Sequence, residues 1–160
     1  MMEIKRFDTD FVSRTKEILL NYQGDYEVSN LINCTLGLII LPYEETNRNN
    51  YVFFDTNLDQ IPSIPQFQTH LFDPIRKIER GCILYYPKTL KVLLQKMRHG
   101  LAHQHVEPIN RDGLFDGVII RNYYNGNKQY LDLEIEFSHV ELKKFALFIA
   151  DQYIAGAEEQ

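Results

Sequence analysis

The sequence predicts a mainly α fold, a bundle of four to five helices with a β-hairpin between the last two long ones. Three observations predict it. Apolar residues recur at helical spacing along most of the chain. One of these stretches, from about Glu27 to Leu41, is apolar on nearly every side, as a central helix of a bundle must be. Near the C-terminus Leu131, Leu133, Ile135 and Phe137 alternate with Asp132, Glu134 and Glu136 behind the turn signal Tyr124-Asn125-Gly126-Asn127.

The elements follow in order. Asp8-Thr9-Asp10 offers caps for a first helix. Its apolar stripe is Phe11, Ile18 and Tyr22 with Leu19 beside it, and it ends near Gly24. The second helix carries Leu31, Cys34, Leu38 and Ile39 on one side and Ile32, Leu36 and Ile40 on another; Pro42 is expected to end it. Residues 44–72 read as irregular, a polar run followed by Pro62 and Pro65. Asp73-Pro74 reads as the cap and first position of a short helix that stops at Gly81.

The third long helix begins near Pro87 or Lys88. Leu90, Leu93, Leu94, Met97 and Leu101 form its stripe, and Pro108 is expected to stop it. Gly100 inside it costs about 1 kcal/mol relative to alanine, which points to close approach of a backbone or a ligand. A strand from Gly117 to Tyr123 and the alternating run make the hairpin. Ser138-His139-Val140-Glu141 is a capping box for the last helix, whose core face is Leu142, Phe145, Ala146, Ile149 and Tyr153. The whole reads as one domain over 1–160, with a long insert at about 44–87. Such an insert is often functional.

Composition narrows the function. An apolar fraction of 44% and a charged fraction of 24% are globular values and exclude disorder. The formal charge of −5 excludes a global basic footprint for nucleic acid. The local balance differs. From Lys88 to Arg111 stand Lys88, Lys91, Lys96, Arg98 and Arg111 against Glu107 alone, five bases less one acid, or +4. Cys34 and Cys82 make no metal-ribbon spacing, and Cys34 reads as a buried thiol. The first residues lack a signal-type apolar core and no stretch reaches membrane-spanning length, so a reduced, cytoplasmic protein without membrane contact is expected.

The most basic stretch also holds three of the five histidines, in Arg98-His99-Gly100-Leu101-Ala102-His103-Gln104-His105. Histidine exchanges protons near neutrality, and arginine offers a fork that fits phosphate. On an ideal helix Arg98 and His103 are about 140° apart, whereas His99 and His103 share a face. Two chemistries compete. In one, Arg98 holds a phosphate and His103 moves a proton. In the other, His99, His103 and His105 bind a metal, but the glutamate of the H-E-x-x-H pattern is absent because position 100 is glycine. The bland alternative is a helix end whose histidines meet its last carbonyls. His70 and His139 read as incidental, and the Asp132, Glu134, Glu136 series as a solvated strand face. Tyr123, Tyr124 and Tyr130 read either as cross-strand pairs or as platforms for bases.

The run Arg98 to His103 resembles the R-x4-6-H signature of HEPN domains (higher eukaryotes and prokaryotes nucleotide-binding). The helical order and the hairpin after the motif helix are similar too. The segments Leu36 to Tyr43 and Arg98 to Asn110 look like a small bacterial or plasmid-borne branch of that family. The resemblance implies an HEPN-type bundle that forms homodimers, and a metal-independent endoribonuclease without cofactors acting on single-stranded RNA in a defence or toxin–antitoxin setting, with an antitoxin as a further partner. It implies a composite site across the dimer, with Arg98, His103 and His99 catalytic and His105, Lys96 and Arg111 on the substrate. His103 would serve the 2′-hydroxyl or the leaving 5′-oxygen, and Arg98 the charged phosphorane. His99 stands where many active members carry asparagine. Arg98 to His105 also fits the six-residue form of the spacing. The alternative within the resemblance is a non-catalytic module that binds a nucleotide or a protein.

Overall fold

The computed structural model describes residues 7–25, 27–49, 52–61, 70–71, 83–84, 89–123, 126–128 and 131–158. Four helices and a three-stranded antiparallel sheet dominate it: α1 (Phe7–Asn21), α2 (Glu27–Asn49), α3 (Leu90–Ala102) and α4 (His139–Glu158), with β3 (Val106–Arg111), β4 (Leu114–Tyr123) and β5 (Leu131–Ser138) between α3 and α4. A two-residue pair, β1 (His70–Leu71) with β2 (Ile83–Leu84), precedes α3. The short helix expected at Pro74 to Arg80, and Cys82, lie outside the described residues.

α2 is the central helix, in contact with α1, α3 and α4. Leu31, Cys34, Leu38 and Ile39 are buried, and burial pushes the Cys34 thiol pKa up. Pro42 does not end this helix, which continues to Asn49. Proline removes one hydrogen bond from a helix, and packing on three neighbours outweighs that local penalty. The expected irregular segment is also partly built. Residues 52–55 form a 3-10 turn that drives Phe54 into the core, while Phe53 meets Phe148 edge-on at 5.6 Å. α1 buries Val12, Thr15 and Leu19 and leaves Ile18 53% exposed, so its inner face is rotated from the expected stripe.

α3 and α4 match their patterns closely. Leu90, Leu93, Leu94 and Met97 are fully buried, as are Phe145, Ala146, Ile149 and Tyr153. Thr89 caps α3 by accepting from the Val92 N–H at 3.3 Å. At α4 the Glu141 N–H donates to Ser138 Oγ at 3.1 Å and the Ser138 N–H to Glu141 Oε2 at 2.8 Å, which is the expected capping box.

The hairpin is larger than expected. Pro108 lies inside β3 instead of stopping α3, which has already closed at Ala102. β3 is an edge strand, where a missing N–H is tolerated. Asp112 (φ 55°) and Gly113 (φ 76°) make the two-residue turn into β4, pairing Arg111 with Leu114. Along β4 and β5, Val118 faces Phe137 and Ile120 faces Ile135, all buried against the helices.

Candidate functional site

α3 reaches the sheet at Gly100. A Cβ there would stand 2.2 Å from the Arg121 carbonyl oxygen, so only glycine lets the helix lie this close to β4. The close approach read from the sequence is therefore made by backbone. It sets the residues around Gly100 against the sheet and fixes where they point.

Two residues later the helix closes in a Schellman turn. His103 is its cap, with its N–H donating to the His99 carbonyl at 3.1 Å. Gln104 takes φ 61°, its N–H donates to the Leu101 carbonyl at 3.1 Å, and the His105 N–H donates to the Gly100 carbonyl at 2.8 Å. This reversal brings His105 back beside His103, with ring centroids 6.1 Å apart. His105 also meets the Tyr123 ring edge-on at 4.8 Å, and its carbonyl accepts the Arg121 N–H at 2.9 Å as β3 joins β4. His99, His103, His105 and Tyr123 thus gather at one corner. Tyr123 packs on a histidine across the strands, and His105 does not continue the helix beyond Arg98.

The electrostatics of the corner favour neutral imidazole on two rings. Burial lowers the His99 pKa, helped by Arg98, His103 and Lys96 and opposed by Asp132. Burial also lowers the His105 pKa, with His103 and Lys128 adding to it. The His105 Nδ1 atom is buried and has no hydrogen-bond partner among the described residues. His103 is exposed and Arg98 half-buried. Arg98 and His103 leave the end of α3 in different directions around the helix axis, and the Arg98 charge acts on His99.

The basic balance of this stretch is thinner in space than along the chain. Lys96 Nζ is 2.5 Å from Asp132 Oδ2. Arg111 pairs with Asp116 at 3.1 Å, at the far end of β3, roughly 20 Å of strand from His105. The structure does not bring Arg111 to the corner. Arg121 is held between Glu107 at 2.5 Å and Glu134 at 2.7 Å, which pushes its pKa up. Among the described residues, no three His, Cys, Asp or Glu side chains stand together as a metal-holding group.

Asp132 is expected on the solvated strand face and is instead buried, 4% exposed. The ladder gives the reason. Asn122 pairs with Leu133 but Tyr123 pairs with Leu131, so Asp132 is an extra residue of β5. The bulge turns it inward, where it also takes Asn122 Nδ2 at 2.8 Å. Strict alternation in the sequence gives no sign of such a bulge. Glu134 and Glu136 keep the outward positions expected of them, half-buried and exposed respectively. His139 lies at the start of α4, its Nδ1 3.2 Å from the Asp116 carbonyl oxygen, away from the corner.

No helix among the described residues is long and apolar enough to cross a membrane. The family model described as HEPN pEK499 p136 matches residues 1–160. No curated protein and no solved structure matches the chain.

Proposed function

Because the chain belongs to the HEPN pEK499 p136 family over residues 1–160, we propose that it is a metal-independent endoribonuclease that cuts single-stranded RNA by attack of the 2′-hydroxyl. HEPN domains are often ribonucleases. The observation that carries the reading is the histidine corner, where α3 ends in a turn that sets His99, His103 and His105 together with two rings held toward the neutral state. Neutral imidazole accepts a proton from a hydroxyl, and imidazolium returns one to a leaving oxygen. The nucleophile is part of the substrate, so the protein supplies orientation, proton transfer and charge.

The roles divide by position. His103 and His99 handle the protons of the 2′-hydroxyl and the leaving 5′-oxygen. Arg98 stabilises the charge on the phosphorane. Arg98 and His103 diverge on one helix, so a phosphate that meets both is best served by a homodimer in which the α3 ends of two copies face each other. His105 borders the RNA path beside Tyr123. Lys96 acts through Asp132, and Arg111 meets the substrate only if the RNA runs along β3. The setting is a defence or toxin–antitoxin system in the cytoplasm, with an antitoxin as partner and no cofactor.

Purified protein should cut RNA in excess EDTA, and Arg98→Ala and His103→Ala should each abolish cutting with the circular dichroism unchanged. Cutting that survives both substitutions would overturn the site assignment. Loss in EDTA with recovery on adding zinc would favour the metal reading. A monomer at micromolar concentration would count against the composite site. One observation favours a second reading, a non-catalytic nucleotide- or protein-binding dimerisation module: Lys96, Arg111 and Arg121 are all paired with acids, which weakens their grip on an RNA backbone.

A further inference from the structure

The strongest unexplained feature lies beside the histidine corner and belongs to Asp132. Its side chain keeps 5% of its exposure. Oδ2 is fully used, by Lys96 Nζ at 2.5 Å and Asn122 Nδ2 at 2.8 Å. Oδ1 is buried and accepts no hydrogen bond among the described residues. A buried carboxylate oxygen without a donor has lost its hydration and gained nothing in return, so native proteins seldom keep one without a reason. Here the chain goes out of its way to keep it. The bulge of β5 turns Asp132 out of the alternation and into the protein, and bulges of this kind re-aim side chains beside functional sites.

The surrounding groups narrow what this oxygen serves. Lys96 and Asn122 already serve Oδ2, and Arg121 is held on the sheet by Glu107 and Glu134. His99 stands on the same helix as Lys96, nearly one turn further on. It is half-buried, and Asp132 is the acid whose charge favours its protonation against Arg98, His103 and Lys96.

We propose that Asp132 is a positioning residue for His99: when the His99 ring turns toward it, the open oxygen Oδ1 accepts one ring N–H and the other ring nitrogen is presented to the substrate as the base. The inference rests on the proposed RNA cleavage for its reaction. There, the 2′-hydroxyl gives its proton to the free nitrogen of His99 as the 2′-oxygen bonds to phosphorus. The bond from phosphorus to the 5′-oxygen breaks, and that oxygen takes a proton from His103. Asp132 holds the His99 imidazolium. Lys96 pairs with Asp132 inside the protein, so it serves the base indirectly.

The test needs no RNA. Long-range proton–nitrogen correlation spectra of labelled protein read the tautomer and the titration midpoint of His99. In the wild type one tautomer is expected. In Asp132→Leu, which has a similar shape and no acceptor, the midpoint should fall by about one pH unit and the tautomers should mix. That variant leaves Lys96 buried without its partner, which costs stability. The double variant Lys96→Met with Asp132→Leu removes both charges and keeps the site neutral. If Asp132 acts only as a distant charge, the double variant leaves the midpoint unchanged or raises it, because Lys96 depresses the His99 pKa more than Asp132 lifts it. If Oδ1 accepts from the ring, the midpoint falls and the tautomers mix. An unchanged or raised midpoint with one tautomer retained would overturn the proposal. Failure of the wild type to cut RNA would remove the reaction and leave this titration result standing, so the two failures are distinguishable.

Discussion

Gly100→Ala is expected to destabilise the protein, although alanine is the better helix former. Helix propensity alone favours the variant by about 1 kcal/mol. Packing opposes it. A Cβ at position 100 would lie 2.2 Å from the Arg121 carbonyl oxygen, 3.0 Å from its carbon and 3.2 Å from Ile120 Cγ2. The obstacle is backbone and cannot rotate aside. The Arg121 N–H is tied to His105, and its strand is paired on both edges. α3 must therefore move off β4 by about 1 Å to restore ordinary contact. Overpacking of this kind costs about 3 kcal/mol, leaving a net loss of about 2 kcal/mol. For a domain of this size that is a fall in Tm of roughly 4–8 °C and in the urea midpoint of roughly 1 M. Urea titration followed by circular dichroism measures it. A variant as stable as the wild type, or more stable, would refute the argument that Gly100 fixes the distance between helix and sheet.

Gln104→Gly should stabilise the chain by about 1 kcal/mol, because Gln104 holds φ 61° where glycine carries no side-chain clash; an unchanged urea midpoint would count against the Schellman turn. Ser138→Ala should cost about 1 kcal/mol through loss of the α4 cap, and no change in thermal midpoint would contradict that capping box. Acid should destabilise the fold through His99 and His105. Their folded pKa values lie below the ordinary 6.5, so their contribution is full above pH 6.5 and is lost as pH falls through the folded values. Urea midpoints at pH 7.5 and pH 5 should therefore differ less in a His99→Gln, His105→Gln double variant than in the wild type. Equal differences would remove the buried-imidazole argument.

Legibility in the sequence followed the range of the interactions. The inner faces of α3 and α4 were readable because a helix packed on one side must repeat its apolar residues at its own period, and Leu90 to Met97 and Phe145 to Tyr153 do so. The Ser138 to Glu141 box and the need for glycine at position 100 were readable because each is a local demand on one residue. Asp112-Gly113 is a readable turn signal too, and it marks a strand through Pro108 that pairs with β4. Other features depend on tertiary partners. The passage of α2 through Pro42 is decided by its three helical neighbours, and the burial of Asp132 by one extra residue in a strand whose alternation looks unbroken. Within the site, the grouping of His103 with His105 follows from the Schellman turn. The commitment of Lys96 follows from the bulge, and neither residue pattern announces it.

The account depends most on RNA supplying its own nucleophile at a corner built by His99 and His103. The most direct measurement uses a short RNA carrying a single 2′-deoxy nucleotide at the mapped cleavage position, incubated with the protein in EDTA. The account predicts that the all-ribose strand is cut to leave a 2′,3′-cyclic phosphate, that the deoxy strand is intact at that position, and that His103→Ala slows cutting by at least about 100-fold. Cutting at the deoxy position, or a 5′-phosphate product, would contradict it.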